Sequence, residues 1–335
     1  MDEMKDYSEK PPTPFVSVII PAHNEAEFIA DCIGSVIKSS HARGHLDILV
    51  VDHNSTDATE ILARDAGASV LRLNSGKIGA VRNTGLRAAR GDYVAYVDAD
   101  CLVPPTWLRT AIRILGSEAG IGAVGGPCLS PNAGTWVEKA LAPNYARPGI
   151  VKSARTLATS SFIARASLLN EIGQFDEALN SGEDDDISNR IRQRGLALVW
   201  ASDCHIIHRG YPRTLWGVVK KEVWHGSNHI EVRSALDLTL ILTIIFLLAT
   251  VGFLLLLSTA VINPTINSLH ALLLSLLVQF ASPFLYAMKR VRQCPRDWYL
   301  ILGFVFVGYA YFLGHGLGVL GNYWRRMSFK RKGPQ

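Results

Sequence analysis

The sequence is poor in the features that mark several common protein classes. Its 335 residues hold five cysteines, Cys32, Cys101, Cys128, Cys204 and Cys294, an odd number without C-x-x-C spacing. That argues against a disulfide framework and suits thiols in a reducing compartment. No G-x-G-x-x-G follows the first strand-like run, which disfavours a dinucleotide dehydrogenase, and no G-x-x-x-x-G-K-[ST] occurs, which disfavours a P-loop NTPase. Residues 1–14 are polar, charged and proline-containing without an apolar run, so no signal peptide is expected and the following domain is expected in the cytoplasm. Acids nearly vanish after residue 236, where the chain turns apolar. The formal charge of +5 is concentrated late, in Lys289, Arg290, Arg292 and Arg296 and again over 325–332. Basic clusters beside apolar spans suggest anionic lipid headgroups and not nucleic acid as the partner.

What is present centres on residues 91–101, GDYVAYVDADC. Residues 93–97 are β-formers, preceded by glycine and followed by Asp98 and Asp100, which predicts a buried central strand delivering two acids at its C-terminal end. In open α/β sheets ligands bind at that edge. Two carboxylates one residue apart repel each other, but they suit a hard divalent cation that takes oxygen ligands and keeps phosphate oxygens as partners.

The rest of the first half alternates in kind. Strands are expected at 15–20, 46–51 and 69–73, and helices at 25–39, 56–66 (capped by Asn54 or Ser55), 78–89 and from Pro105 to about 115. Such alternation demands right-handed crossovers and a mainly parallel sheet flanked by helices, a nucleotide-binding type of α/β architecture. Polar residues gather where that sheet would bind a ligand. Pro21, Ala22, His23, Asn24 and Glu25 close the first strand, Asp52 closes the second, and Arg82 opens the third helix, where a guanidinium fork and free backbone N–H groups suit a phosphate. A second acidic cluster, Glu183 to Asp186, heads another helical stripe. The helix macrodipole explains one or two acids there but not four, and one of them is a candidate general base.

Together the segments VSVIIPAHNE, ILVVDHNSTDAT, GAVRNTG, GDYVAYVDADC and SGEDDDISNRIRQRG resemble the inverting family 2 glycosyltransferases of GT-A fold, over residues 16–208. The resemblance implies a nucleotide-sugar donor, a UDP-sugar foremost, and a Mn²⁺ or Mg²⁺ ion. By it, Pro21, Ala22, His23, Glu25 and Asp52 would hold the base and ribose, Arg82 the base or diphosphate, and Asp98 the ribose. Asp100 would bind the metal, with His208 or His205 as a further ligand. Asp184, with Glu183 beside it, would be the base that deprotonates the acceptor. His53 stands where many members carry Asp, Asn or Gly, and Ser160 lies in a segment that lines the acceptor site in relatives. No Q-x-x-R-W follows the acidic cluster, so transfer of single sugars is expected in place of processive synthesis. The run KKEVWHG at 220–226, with GHGLG at 314–318, is similar to exopolysaccharide-type bacterial members. Lys220 and Lys221 could meet the phosphate of a lipid-linked acceptor.

The predicted organisation is a polar tail (1–14), a GT-A domain (15–212), an interfacial amphipathic segment (213–235), a membrane domain (236–322) and a basic tail (323–335). Hydrophobic segments are expected at about 238–262, 267–288 and 298–320, the second interrupted by Gln279 and Pro283. The basic stretch 289–296 places its loop, and the catalytic domain, on the cytoplasmic side of the inner membrane. The expected activity is transfer of one sugar, with inversion, to a lipid-linked or membrane-proximal saccharide. The alternatives are a polyprenyl-phosphate sugar synthase and a non-catalytic nucleotide-sugar-binding subunit of an envelope assembly complex.

Overall fold

The computed structural model describes residues 14–39, 45–142, 148–232, 238–262, 266–293 and 301–331. The expected polar tail up to residue 13, the chain reversal at 263–265, the start of the third apolar segment at 298–300 and the last four residues lie outside the described residues. The chain divides into two compact units. One comprises Met1–Pro127, Arg147–Glu177 and Asp184–Ile206, the other Cys128–Ala146, Ala178–Glu183 and Ile207–Gln335.

The first unit opens with β1 (Val16–Ala22), α1 (Ile29–Ser39), β2 (Leu46–Asp52), α2 (Thr59–Asp65), β3 (Ser69–Arg72), α3 (Ile78–Ala88), β4 (Tyr93–Tyr96), β5 (Cys101–Leu102), α4 (Trp107–Ser117) and β6 (Ile121–Gly125). The strand β7 (Cys128–Leu129) and helix α5 (Trp136–Leu141) belong to the second unit. The chain then returns with β8 (Ile150–Val151), β9 (Phe162–Arg165), α6 (Ala166–Glu171), α7 (Glu183–Gln193, its first residue grouped with the second unit) and β10 (Ala197–Ala201). One eight-stranded sheet results, in the order β3-β2-β1-β4-β9-β6-β10-β8. Strands β3, β2, β1 and β4 run parallel, as their helical crossovers require, while β9 lies antiparallel between β4 and β6. The sheet is thus mixed, with a parallel half at the N-terminal side.

Strand β1 is buried along almost its whole length, as a β-branched run covered on both faces should be. Helix α1 buries Ile29, Cys32, Ile33 and Val36, one stripe at helical spacing. Two helices start later than their patterns suggest. The carbonyl of Glu25 takes the N–H groups of Phe28 and Ile29 in a turn before α1. Helix α2 begins at Thr59, and neither Asn54 nor Ser55 caps it. Asn54 instead has φ +57°, and the Ser55 hydroxyl accepts from the Asn24 N–H at 2.9 Å.

The turn from α3 into β4 is fastened to β1 by one hydroxyl. Ser17, fully buried, accepts from the N–H groups of Arg90 at 3.1 Å and Gly91 at 3.0 Å. A Cβ at Gly91 would come within 2.5 Å of the Ser17 nitrogen, so only glycine lets the turn close that tightly.

In the second unit, β11 (Ile206–His208, its first residue grouped with the first unit) leads to α8 (Leu215–Val232), α9 (Leu238–Ile262), α10 (Ile266–Gln293) and α11 (Ile301–Arg331). Three stretches, Leu238–Ile262, Leu269–Arg292 and Ile301–Trp324, are long and apolar enough to cross a membrane. Helix α10 runs unbroken through Gln279 and Pro283, contrary to the expected interruption. Gln279 donates to the Tyr309 hydroxyl at 2.8 Å and the Ser282 hydroxyl to the Leu242 carbonyl at 3.1 Å, so neighbouring helices satisfy the polar groups there. Along α11, glycines admit the backbone of α8. A Cβ at Gly314 or Gly318 would strike the carbonyls of Val219 or Val223, and one at Gly226 of α8 would strike that of His315.

Replacing Ser17 by Ala is expected to leave the buried N–H of Gly91 and the part-buried N–H of Arg90 unanswered and cost about 2 kcal/mol. The melting midpoint of the first unit should fall by roughly 4–8 °C, measured by thermal denaturation of the detergent-solubilised protein. An unchanged midpoint would remove the clamp from this account.

Candidate functional site

At the carboxyl ends of β1, β2 and β4 the first unit brings acids together. The loop after β1 is shaped by its own polar residues. Asn24 has φ +57°, and its Oδ1 accepts from the Thr56 N–H at 2.8 Å. The Thr59 hydroxyl accepts from the Glu25 N–H at 2.7 Å, and Asp57 accepts from the Ala26 N–H at 3.1 Å. Residues 23–26 and 53–59 therefore form one interlocked edge. The His53 N–H donates to the Ala22 carbonyl at 2.8 Å, and the ring Nδ1 of His23 lies 2.7 Å from the His53 carbonyl oxygen. Pro21 and Ala22 end β1 beside Val51 and Asp52 of β2.

Asp52 is buried, and among the described residues its Oδ1 has no hydrogen-bond partner. Leaving a carboxylate oxygen so is costly unless a ligand donor meets it. Arg82, on α3, is buried as well. Its Nη2 lies 3.6 Å from Asp98 Oδ1, and its guanidinium stands 5.7 Å from the centre of the Phe175 ring. Helix α3 comes close enough to do this because Gly85 has no side chain to meet Ile19 of β1. Asp98 and Asp100 follow β4, and Asp100 Oδ1 accepts from the Cys101 thiol at 3.5 Å.

The electrostatics show crowding. The Glu25 carboxyl is pushed from 4.5 up to about 7, first by burial and then by the charges of Asp100 and Asp98. Glu25, Asp52, Asp98 and Asp100 form an acidic edge to which Arg82 adds a single positive charge. These carboxylates and their excess of negative charge fit a hard divalent cation. Asp100, which stands with Cys101 in a group of possible metal ligands, is the residue that would hold it.

The second acidic cluster separates into different duties. Asp186 pairs within α7 with Arg190 at 2.5 Å, whose Nη1 donates to the Ile172 carbonyl at 2.7 Å, and Asp185 takes the Thr156 hydroxyl at 2.7 Å, so Arg190 and Asp185 tie α7 in place. Asp184 Oδ1 accepts from the Thr159 hydroxyl at 2.6 Å, within a buried 3₁₀ turn that also contains Ser160. Glu183, His208, Lys220 and Lys221 belong to the second unit. There the His208 ring packs 4.3 Å from that of Tyr211, and Lys220 stands over Trp216 at 6.0 Å. His205 Nδ1 lies 3.0 Å from the Ser202 carbonyl, a local turn contact.

Three contributors escaped the sequence reading. Asn83 exchanges hydrogen bonds of 2.9 Å with the backbone of Phe175 and gives another of 2.9 Å to Glu177. It thereby holds Phe175 beneath Arg82. Thr159 orients Asp184, and Thr59 holds Glu25. Of these, Asn83 had a visible signal in its place beside Arg82 in GAVRNTG, and Thr159 in its place beside Ser160 in the segment set at the acceptor by resemblance.

Known proteins resemble this chain in sequence and in fold. The model of the glycosyl transferase family 2 matches residues 17–163, and that of the glycosyl transferase family group 2 matches 93–314. The glycosyltransferase AglE of Haloferax volcanii is 31% identical over 229 residues, covering 65% of this chain and 74% of that protein. EpsH of Bacillus subtilis, a glycosyltransferase by name, is 29% identical over 114 residues, which are 32% of this chain and 33% of EpsH. The mannosyltransferase PcManGT of Pyrobaculum calidifontis, solved with GDP-Man and Mn²⁺, superposes with a TM-score of 0.58 at 18% identity, covering 93% of this chain and 88% of that one. With a family model spanning more than half its length and the GT-A architecture at its core, the chain belongs to glycosyltransferase family 2 and is a transferase.

Proposed function

We propose that the chain transfers one sugar, with inversion, from a nucleotide-sugar donor, a UDP-sugar foremost, to a lipid-linked or membrane-proximal saccharide. The observation that carries this reading is the acidic edge of Glu25, Asp52, Asp98 and Asp100 with Arg82 set into it. A nucleoside diphosphate is itself an anion, and beside these carboxylates it would be repelled without a cation between them. A bound Mn²⁺ or Mg²⁺ supplies positive charge that stabilises the departing diphosphate.

The chain's own residues do the remaining work. The buried Oδ1 of Asp52 accepts from the donor's base, beside the interlocked backbone at Pro21, Ala22 and His23. Arg82, steadied by Phe175, turns a guanidinium toward the diphosphate. Asp184, oriented by Thr159 and with Glu183 before it, takes the proton of the acceptor hydroxyl as that oxygen attacks the anomeric carbon from the face opposite the leaving group. Ser160, in the same turn, lies on the acceptor side. The three apolar helices and the basic residues at the end of α10 support anchorage in the inner membrane with the catalytic unit in the cytoplasm.

Binding and turnover with a panel of nucleotide sugars, on detergent-solubilised protein with and without Mn²⁺ or Mg²⁺, test the roles. Asp100→Asn is expected to lose metal-dependent donor binding. Asp184→Asn should keep donor binding and lose turnover by about 10²–10⁴-fold. If no donor binds, or both variants behave like the parent, the reading fails.

A pH dependence follows from Glu25. Its folded value of about 7 lies above the ordinary 4.5, so its contribution to stability is fully present below 4.5 and is lost as the pH rises toward 7. The melting midpoint of metal-free protein should fall between about pH 5 and 7.5. Mn²⁺ should restore it, and Glu25→Gln should flatten the slope. A slope that persists unchanged in Glu25→Gln would assign it to another group.

A further inference from the structure

The second unit holds a cavity of about 220 Å³ among α8, α10, α11 and the segment just before α8. Its walls include Tyr211, Lys221, Glu222, Tyr286, Arg290 and Tyr311. At this size it takes several times the ~30 Å³ share of one water molecule. Lys221 Nζ lies 5.5 Å from the centre of the Tyr211 ring, and the Arg290 guanidinium 5.7 Å from that of Tyr286. A ring face attracts a cation without cancelling its charge.

The carboxylate in the wall does not offset both cations. Glu222 is buried, and that burial pushes its carboxyl up to about 7, with the Lys221 charge working the other way. With Glu222 protonated the named wall carries two positive charges, and with it ionised, one. Two cations and a hydrogen-bonding acid suit a dianionic phosphoryl group better than a neutral or cationic ligand.

Position adds a second argument. Arg290 stands at the basic end of a membrane-crossing stretch, where headgroups meet a protein. Helix α8, which supplies Lys221 and Glu222, also exposes Trp216 and Trp224, residues favoured at the membrane interface. Lys220 stands over Trp216 and is not among the cavity's lining residues, so the two neighbouring lysines have separate surroundings.

We propose that this cavity binds the phosphoryl head of a membrane lipid, with Arg290 and Lys221 as its charge partners. Taking that lipid as the carrier of the acceptor rests on the transferase reaction proposed above; the binding itself does not.

Farnesyl phosphate titrated calorimetrically into the full-length protein in detergent tests it, with farnesol and inorganic phosphate as comparison probes. Farnesyl phosphate is expected to bind saturably, farnesol not to bind, and inorganic phosphate to bind much more weakly. Arg290→Gln and Lys221→Gln should each weaken farnesyl phosphate by about tenfold or more. Arg290→Lys should keep most of the affinity, and Lys289→Gln, exposed on the same helix, should leave it unchanged. Retained donor binding in the two Gln variants reports that they are folded. Asp100→Asn, if it loses the donor but keeps farnesyl phosphate, separates this site from the donor reading. If inorganic phosphate binds as tightly as the prenyl form, the lipid source is overturned. If farnesol binds equally well, or neither Gln variant matters, the site itself is overturned.

Discussion

Like charges resist being gathered, and the sheet edge of the first unit gathers them. Burial first, and then the charges of Asp100 and Asp98, push the Glu25 carboxyl there up to about 7. That arrangement lasts only because the surrounding structure is stiffer than the repulsion. Parallel strands β1, β2 and β4 fix where their ends fall. Ser17 locks the turn into β4, and Gly85 lets α3 press Arg82 against Asp98. Asn83 then pins residues 175–177 beneath the same helix. The work of folding is spent in holding a charged edge open for a partner of opposite sign, the usual logic of a preorganised site.

Much of this was legible in residue order and some was not. Runs such as FVSVII and LDILVV announce strands because both sheet faces are covered, and the acids after them announce the ligand edge. The direction of β9 left no mark, since FIAR reads the same whether it pairs parallel or antiparallel. Its insertion between β4 and β6 is decided by tertiary pairing. Helix starts were misplaced for a local reason. Asn24 and Asp57 look like caps, but here each binds the other's loop across about thirty residues of sequence, while Asn54 takes φ +57°. Residue order alone did not rank the four acids at 183–186, among which only the family resemblance singled out Asp184, because their contacts run to Thr156, Thr159 and Arg190.

The three helices long and apolar enough to cross a membrane follow different rules from the first unit. Polar side chains within them find partners on neighbouring helices, as Gln279 does with Tyr309 and Thr243 with His315. The structure buries several and satisfies them.

The backbone contact between α8 and α11 has a mechanical consequence. Glycines on both helices, Gly226 on one and Gly314 and Gly318 on the other, occupy places where a carbonyl of the opposite helix leaves no room for a side chain. A slip of one residue moves a helix by about 1.5 Å and turns it by about 100°, which would drive a Cβ into such a carbonyl. The pair therefore has one register and behaves as a ratchet without a second tooth. The position of α8 along α11 is fixed to within a fraction of that step, so in a bilayer of any thickness the two helices would have to tilt as a pair.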